Sequence, residues 1–188
     1  MEENYKLEKE YTISYDLFRK AYREFQKKNV YPKSYLFMGL FLVIGVIYIA
    51  AAIEDPSSTL SYVLIFLCFA LAFREWYNPR KMRRNIVDTV REMGELRYGL
   101  HIDDENVEFS TLPIDDVENS GDDEDNEPEE LPEATVIPIN GELSVQEYDE
   151  FFLLYQGKRN FYIIPKEGFT EYELETVREL NLRSEQSL

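Results

Sequence analysis

Cysteine and histidine are scarce in this chain of 188 residues. It contains one cysteine, Cys68, and one histidine, His101. A single thiol rules out a disulfide within the chain, and these two residues are too few for a Cys/His metal cluster. Cys68 lies inside an apolar run, where we expect it to pack between helices. His101 stands near Asp103 and Asp104, where it could titrate or hold a metal weakly, although we expect an ordinary strand residue.

The sequence also lacks the motifs that position catalytic groups. It has no G-x-x-x-x-G-K-[ST] phosphate loop, no G-x-G-x-x-G fingerprint, no H-E-x-x-H helix and no Ser/His/Asp set with a nucleophile elbow. Carboxylates are plentiful, but catalytic pairs need rigid placement, and most of these lie in one charged segment. We therefore predict a protein that is not an enzyme, with no catalytic residues, no cofactor and no bound metal.

Basic residues are missing from that charged segment, residues 115–133 (DDVENSGDDEDNEPEELPE). It holds eleven acidic residues and accounts for most of the net charge of −17. A segment that repels itself and has few apolar residues is typical of a disordered, solvated loop. The alternative is a calcium site, because hard cations bind carboxylates, but the glycine and terminal glutamate of an EF-hand loop are not at the required positions.

Charged residues are absent from two apolar runs that lie close together. The first is Tyr35–Ile53, and the second is Leu60–Phe73, which Trp76 and Tyr77 extend to about 27 Å of helix. A spanning helix needs about 20 mainly apolar residues, and Trp and Tyr favour the membrane–water interface. The alternative is a buried hairpin, but so acidic a chain could not easily cover two such helices. The pattern predicts a transmembrane helical hairpin.

Basic residues flank both runs but are missing from the loop between them, residues 54–59. They are Arg19, Lys20, Arg23, Lys27, Lys28 and Lys33 before the first run and Arg74, Arg80, Lys81, Arg83, Arg84 and Arg91 after the second. Short loops rich in Lys and Arg stay cytoplasmic. We therefore expect a multi-pass protein with both termini in the cytoplasm. The stretch Met1–Tyr11 has no apolar core, so we expect the first span to direct insertion.

The densest basic cluster consists of Arg80, Lys81, Arg83 and Arg84. Next to a span, each Lys or Arg attracts anionic lipid by about 1 kcal/mol. Nucleic acid is the alternative ligand, but the acidity of the chain and its membrane attachment oppose it. We predict that these four residues contact lipid at the membrane surface and that the protein binds no nucleic acid.

The hydrophobic period separates helices from strands outside the runs. Tyr5–Ile13 alternates as a strand does, and Tyr15–Lys28 has the apolar stripe of an amphipathic helix, with Ser14 as its N-cap. Asn78 followed by Pro79 is typical of a helix start, which predicts a separate helix after the second run.

The second half of the chain changes to a period of two. The predicted strands are Arg97–Ile102, Asn106–Leu112, Ala134–Ile139, Leu143–Tyr148, Phe151–Tyr155 and Arg159–Ile164. Asp103–Glu105 and Gln156–Lys158 have the composition of hairpin turns. The T-x-x-E pattern from Thr170 to Glu173 predicts a capping box at the start of a last helix, with Leu174 and Val177 in its buried stripe. With the N-terminal strand this makes seven strands and one C-terminal helix, which matches a pleckstrin-homology-like (PH-like) barrel.

The stretch Phe151–Leu180 (FFLLYQGKRNFYIIPKEGFTEYELETVREL) resembles the C-terminal domain of the YcxB-like family. The similarity lies in a strand ending at Tyr155, a turn, the run Ile163–Lys166 (IIPK), and Phe169 before an acidic helix. The order of strand, helix, two spans, basic helix and strands also resembles that family. The resemblance implies a bacterial, membrane-associated protein and brings no catalytic residues with it. Relative to the family pattern, residues 115–133 look like an insertion.

Together these features predict an α+β membrane protein with a two-helix transmembrane hairpin. The hairpin is inserted in a cytoplasmic PH-like antiparallel β-barrel or sheet that carries a C-terminal helix. The expected divisions are 1–34 for the N-terminal strand and helix, 35–77 for the hairpin, 78–96 for a basic helix, 97–182 for the YcxB-like domain and 183–188 for a tail.

The expected role is binding, at the bacterial cytoplasmic (inner) membrane. The expected ligand is either a protein partner, which the sequence does not identify, or a lipid headgroup. The expected role is sensing, accessory or immunity-like. The alternative class is an oligomeric subunit of a membrane transport or pore assembly. The apolar runs Tyr35–Ile53 and Leu60–Phe73 oppose that class because they carry no charged residue. A homo-oligomer remains a possible assembly.

Overall fold

The computed structural model describes residues 6–94, 96–112, 134–157 and 160–186. The predicted acidic loop 115–133 therefore lies outside the described residues, as do Tyr5, Lys158 and residues 187–188.

Within the described ranges the chain forms, in order, one strand, three helices, six strands and one helix. The helices are α1 (Tyr15–Asn29), α2 (Tyr31–Glu54), α3 (Thr59–Met93) and α4 (Glu171–Gln186). The strands are β1 (Leu7–Ile13), β2 (Leu96–Ile102), β3 (Asn106–Leu112), β4 (Thr135–Pro138), β5 (Leu143–Glu147), β6 (Phe151–Gln156) and β7 (Asn160–Pro165). Each predicted strand is present, with ends that differ by no more than two residues where they are described.

The strands form two antiparallel sheets, with orders β1-β2-β3-β4 and β5-β6-β7. The predicted closed barrel is not formed by the described strands, because no ladder joins the two sheets. One reason lies at β5, where the Asn181 side chain of α4 takes the place of a neighbouring strand. The Val145 amide donates to Asn181 Oδ1 at 2.6 Å, and Asn181 Nδ2 donates to the Val145 carbonyl at 2.7 Å.

The chain divides into two compact units. The sheet unit contains the described residues of 1–21 and 90–188, and the helical unit contains 22–89. The helical unit is thus inserted in the sequence of the sheet unit, after its first strand. The N-cap of α1 is also as predicted, since the Leu17 amide donates to Ser14 Oγ at 3.4 Å.

The core of the sheet unit lies between the sheets and α4. β6 is apolar on both faces and is buried from Phe151 to Tyr155. From α4, Leu174 and Val177 are buried, as their spacing predicts, and Leu180 is buried as well. The capping box is also confirmed: the Thr170 amide donates to Glu173 Oε2 at 2.6 Å, and the Glu173 amide donates to Thr170 Oγ1 at 3.4 Å.

The C-terminal helix continues to Gln186, so residues 183–186 are helical and not the predicted tail. Arg183 Nη2 donates to the carbonyl oxygens of Asp103 and Asp104 in the β2–β3 turn, at 2.7 and 2.5 Å. Ser184 is buried and donates to the Asn181 carbonyl. These contacts stabilise the last turn, and nothing local in the sequence indicates them.

Small residues line the contact between α2 and α3 in the helical unit. Gly45 and Ala52 of α2 are buried, and so are Ser61, Cys68 and Ala72 of α3. A Cβ placed on Gly45 would lie 3.4 Å from the Cβ of Cys68. Small side chains let two helix backbones approach closely, which is the packing role predicted for Cys68.

α3 is one helix with Pro79 inside it, so the helix start predicted at Asn78 is wrong. The proline ring has a helical φ but removes one backbone donor. Two side chains donate to carbonyls in this turn: Arg80 Nη1 to Trp76 O at 2.5 Å, and Gln26 Nε2 to Pro79 O at 2.9 Å. Gln26 is fully buried, so α1 holds α3 at the turn that the proline weakens.

Candidate functional site

α2 and α3 are each long and apolar enough to cross a membrane. The two helices meet through small residues, and their large apolar side chains point away from the protein. Only 11% of the apolar window of α2 and 17% of that of α3 is buried, whereas the core helix of a soluble protein is mostly buried. The most exposed side chains are Leu36, Val43, Val46, Ile47 and Ile53 of α2 and Leu60, Phe66 and Phe73 of α3.

The four predicted lipid-contact residues lie together after the apolar part of α3, in two different environments. Arg80 is half-buried, with its guanidinium 4.3 Å from the centre of the Trp76 ring. Its Nη2 also donates weakly to Tyr35 Oη at 3.5 Å. Lys81 and Arg84 are exposed and three residues apart, so they share one face of the helix. Arg83 is partly exposed, and within the described chain none of these three side chains forms an ion pair.

An open cleft of about 610 Å³ lies beside this cluster, within the helical unit. Lys81 is the one predicted site residue that lines it. Ser34, Asn78 and Asn85 add neutral polar groups, and the remaining lining residues are Val30, Pro79, Met82 and Ile86. The cleft therefore combines one ammonium, several hydrogen-bonding groups and an apolar wall, which is the chemistry that an anionic headgroup and the start of an acyl chain require.

A second open cleft, of about 840 Å³, lies in the sheet unit between β1, α1 and the β7–α4 loop. Its three lysines are neutralised by carboxylates. Lys20 Nζ lies 2.6 Å from Glu150, Lys9 Nζ lies 3.2 Å from Glu173, and Lys166 Nζ lies 2.6 Å from Glu147. The lining also contains the carboxylates of Glu10, Asp16, Asp149 and Glu167, so acidic groups outnumber the lysines. The cleft therefore offers an anion no net attraction, and it suits a partner that presents basic groups.

These ion pairs perturb the acidic groups around the sheet-unit cleft. Hydrogen bonds from Arg178 and Lys166 lower the pKa of the Glu147 carboxyl to about 2. The carboxylates of Glu147, Glu171 and Glu175 in turn raise the pKa of the Arg178 guanidinium. Sequence reasoning missed this cluster, because its members come from a strand, a loop and a helix and form no local motif.

Comparison with known protein families gives a match in the C-terminal part of the chain. Residues 133–181 match the YcxB-like protein family, so the resemblance in the C-terminal segment is confirmed. In the structure this segment contains β4 to β7 and the larger part of α4. No curated protein and no solved structure matches the chain.

Proposed function

We propose that this chain is a multi-pass protein of the bacterial cytoplasmic membrane that binds its ligands without catalysis. α2 and α3 form the membrane anchor, with both termini in the cytoplasm. The basic surface of α3 binds anionic lipid headgroups, and the sheet unit binds a protein partner.

The exposure pattern of the hairpin carries this proposal. In water, the exposed side chains of α2 and α3 would form an apolar surface far beyond what a soluble monomer tolerates. In a bilayer the same surface is solvated by acyl chains. The contact between the two helices at Gly45 and Cys68 is then stabilised by close van der Waals packing and does not require the hydrophobic effect. The positions of Arg80 and Trp76 also support it, since a cationic side chain on an aromatic ring is typical of the interface.

The orientation can be tested with single cysteines. In a Cys68→Ala background, Ser57→Cys lies in the loop between the spans, and Ser144→Cys lies on the exposed side of β5. A membrane-impermeant thiol reagent added to intact cells should label position 57 and should leave position 144 unlabelled until the cells are opened. Labelling of position 144 alone on intact cells would reverse the topology.

The lipid contact can be tested by melting the detergent-solubilised protein with added lipid. We expect phosphatidylglycerol to raise the melting temperature more than phosphatidylcholine does. The double variant Lys81→Gln with Arg84→Gln should need about 10- to 30-fold more phosphatidylglycerol for the same shift, because each lost charge removes about 1 kcal/mol of attraction.

A matched control removes two lysines from the sheet unit instead. Lys6→Gln with Lys20→Gln changes the net charge equally but leaves the basic surface of α3 intact. It should respond to phosphatidylglycerol as the unmodified protein does. An equal loss in both double variants would mean that net charge, and not this surface, determines the lipid response.

The four-stranded sheet, the three-stranded sheet and the helix that follows them support the proposal that the sheet unit is a PH-like domain. We propose that its cleft binds the protein partner, since ion pairs neutralise the lysines there. A photo-crosslinking residue at Asp149 should capture a defined partner in membranes, and one at Ser144, outside the cleft, should not. Inverting one pair with Lys20→Glu and Glu150→Lys should weaken capture while the fold is kept. Equal capture from both positions would contradict this assignment.

A further inference from the structure

The sheet unit contains a cavity of about 230 Å³ that is separate from the basic surface of α3. Aromatic side chains supply most of its wall, with Ile13, Val90 and Ile163 as the aliphatic part. None of the described residues that line it is charged. An ion would therefore lose its hydration without compensation, and the cavity favours a neutral ligand.

Two aromatic pairs give the wall flat surfaces. Tyr11 and Tyr98 face each other across β1 and β2, with ring centres 5.9 Å apart and an interplanar angle of 28°. Phe109 of the first sheet stacks on Tyr162 of the second, with centres 4.4 Å apart and planes only 12° apart. Flat, polarisable walls favour another aromatic ring over a branched aliphatic chain.

Two phenol side chains also line the cavity. Tyr11 is only 8% exposed, and Tyr98 lies beside it on β2. Burial and the neighbouring Tyr98 raise the pKa of Tyr11, and burial raises that of Tyr98. Both phenols therefore stay neutral at physiological pH and can donate or accept one hydrogen bond.

We propose that this cavity binds a small neutral molecule of one or two aromatic rings, with one hydrogen-bonding group directed at Tyr11 and Tyr98. The volume of the cavity is sufficient for such a molecule, because an apolar cavity of about 150 Å³ already holds benzene. The proposal does not depend on membrane insertion or on lipid binding, since every residue in it belongs to the sheet unit.

Indole is a suitable probe, because it has two fused rings and one N–H donor. The full chain in lipid nanodiscs, with labelled isoleucine and valine methyl groups, can be titrated with indole and followed by NMR. The methyl signals of Ile13, Val90 and Ile163 should shift and saturate together. Indole-3-acetate adds a charge to the same rings and should bind at least 10-fold more weakly.

Tyr11→Phe separates ligand binding from a purely structural role of the hydroxyl. It should weaken indole binding by about 2- to 10-fold, because one neutral hydrogen bond is lost. The melting temperature of the unliganded protein should change little, so that the loss of affinity reports the contact with the ligand and not the stability of the fold. The control Tyr172→Phe alters an exposed ring on α4 and should change neither property.

Three results would overturn the proposal. The first is a set of methyl shifts that grow linearly without saturating, as partition into the bilayer would produce. The second is equal affinity for indole and indole-3-acetate. The third is unchanged indole affinity in Tyr11→Phe.

Discussion

Two leucines on α4 provide a matched test of how the sheet unit is held together. Leu180 is fully buried, whereas Leu182, two residues later on the same helix, is 61% exposed. Replacing either by alanine removes the same atoms and changes the helix propensity equally. Any difference in stability between Leu180→Ala and Leu182→Ala therefore reports the packing of α4 on the sheet.

The size of the difference follows from burial. A buried leucine truncated to alanine costs about 2–5 kcal/mol, because transfer energy is lost and a cavity is left. An exposed substitution usually stays within about 0.5 kcal/mol. In a domain of roughly 100 residues each kcal/mol lowers the melting temperature by about 4–8 °C. Leu180→Ala should therefore lower it by at least about 8 °C, and Leu182→Ala by less than about 4 °C.

The assay is proteolysis of the full chain in nanodiscs over a temperature series, read from the loss of fragments of the sheet unit. The temperature at which half the unit is cleaved should separate the two variants clearly. Equal decreases for both leucines would refute the reasoning, since α4 would then not be docked through its buried face.

Three further predictions concern single contacts. Asn181→Ala should lower the free energy of unfolding of the sheet unit by about 1–3 kcal/mol, because the backbone of β5 loses both partners; unchanged thermal melting would contradict this. The pKa of Glu147 is lowered to about 2, so its ion pairs stabilise the fold above about pH 4.5 and are lost as the pH falls towards 2. Glu147→Gln should therefore melt earlier than the unmodified protein at pH 7, and the gap should close near pH 2; a gap that is constant with pH would exclude this origin. Gly45→Leu should separate α2 from α3, while Gly39→Leu, where a Cβ meets nothing within 4 Å, should not; disulfide formation between cysteines placed across the two helices would distinguish them.

Much of the fold could be predicted because its signals are local. Alternating residues predicted the strands, and the apolar runs predicted two helices long enough to span a bilayer. The capping box at Thr170 depends on residues three positions apart, which a sequence displays directly. The candidate site was harder to predict from the sequence. The cluster Arg80–Arg84 was identified by its charge, but nothing in the sequence separates Arg80, which stacks on Trp76, from the exposed Lys81.

The sequence predictions that the structure contradicts also have physical causes. Asn78 and Pro79 have the composition of a helix start, yet donors from Gln26 and Arg80 keep α3 continuous. The predicted tail is helical because Arg183 reaches a turn some 80 positions away in the chain. In both cases the partner that decides the outcome is distant in sequence.

What the sequence determined by itself is therefore whatever depends on composition and short spacing. This includes the element types, the apolar hairpin, the concentration of acidity in residues 115–133 and the similarity of the C-terminal segment to the YcxB-like family. Only the tertiary structure decided that the strands divide into two sheets, that Asn181 occupies the edge of β5, and that Tyr11 and Tyr98 border an aromatic cavity. These features bring together side chains from separate elements, and their energies depend on distances that no local pattern encodes.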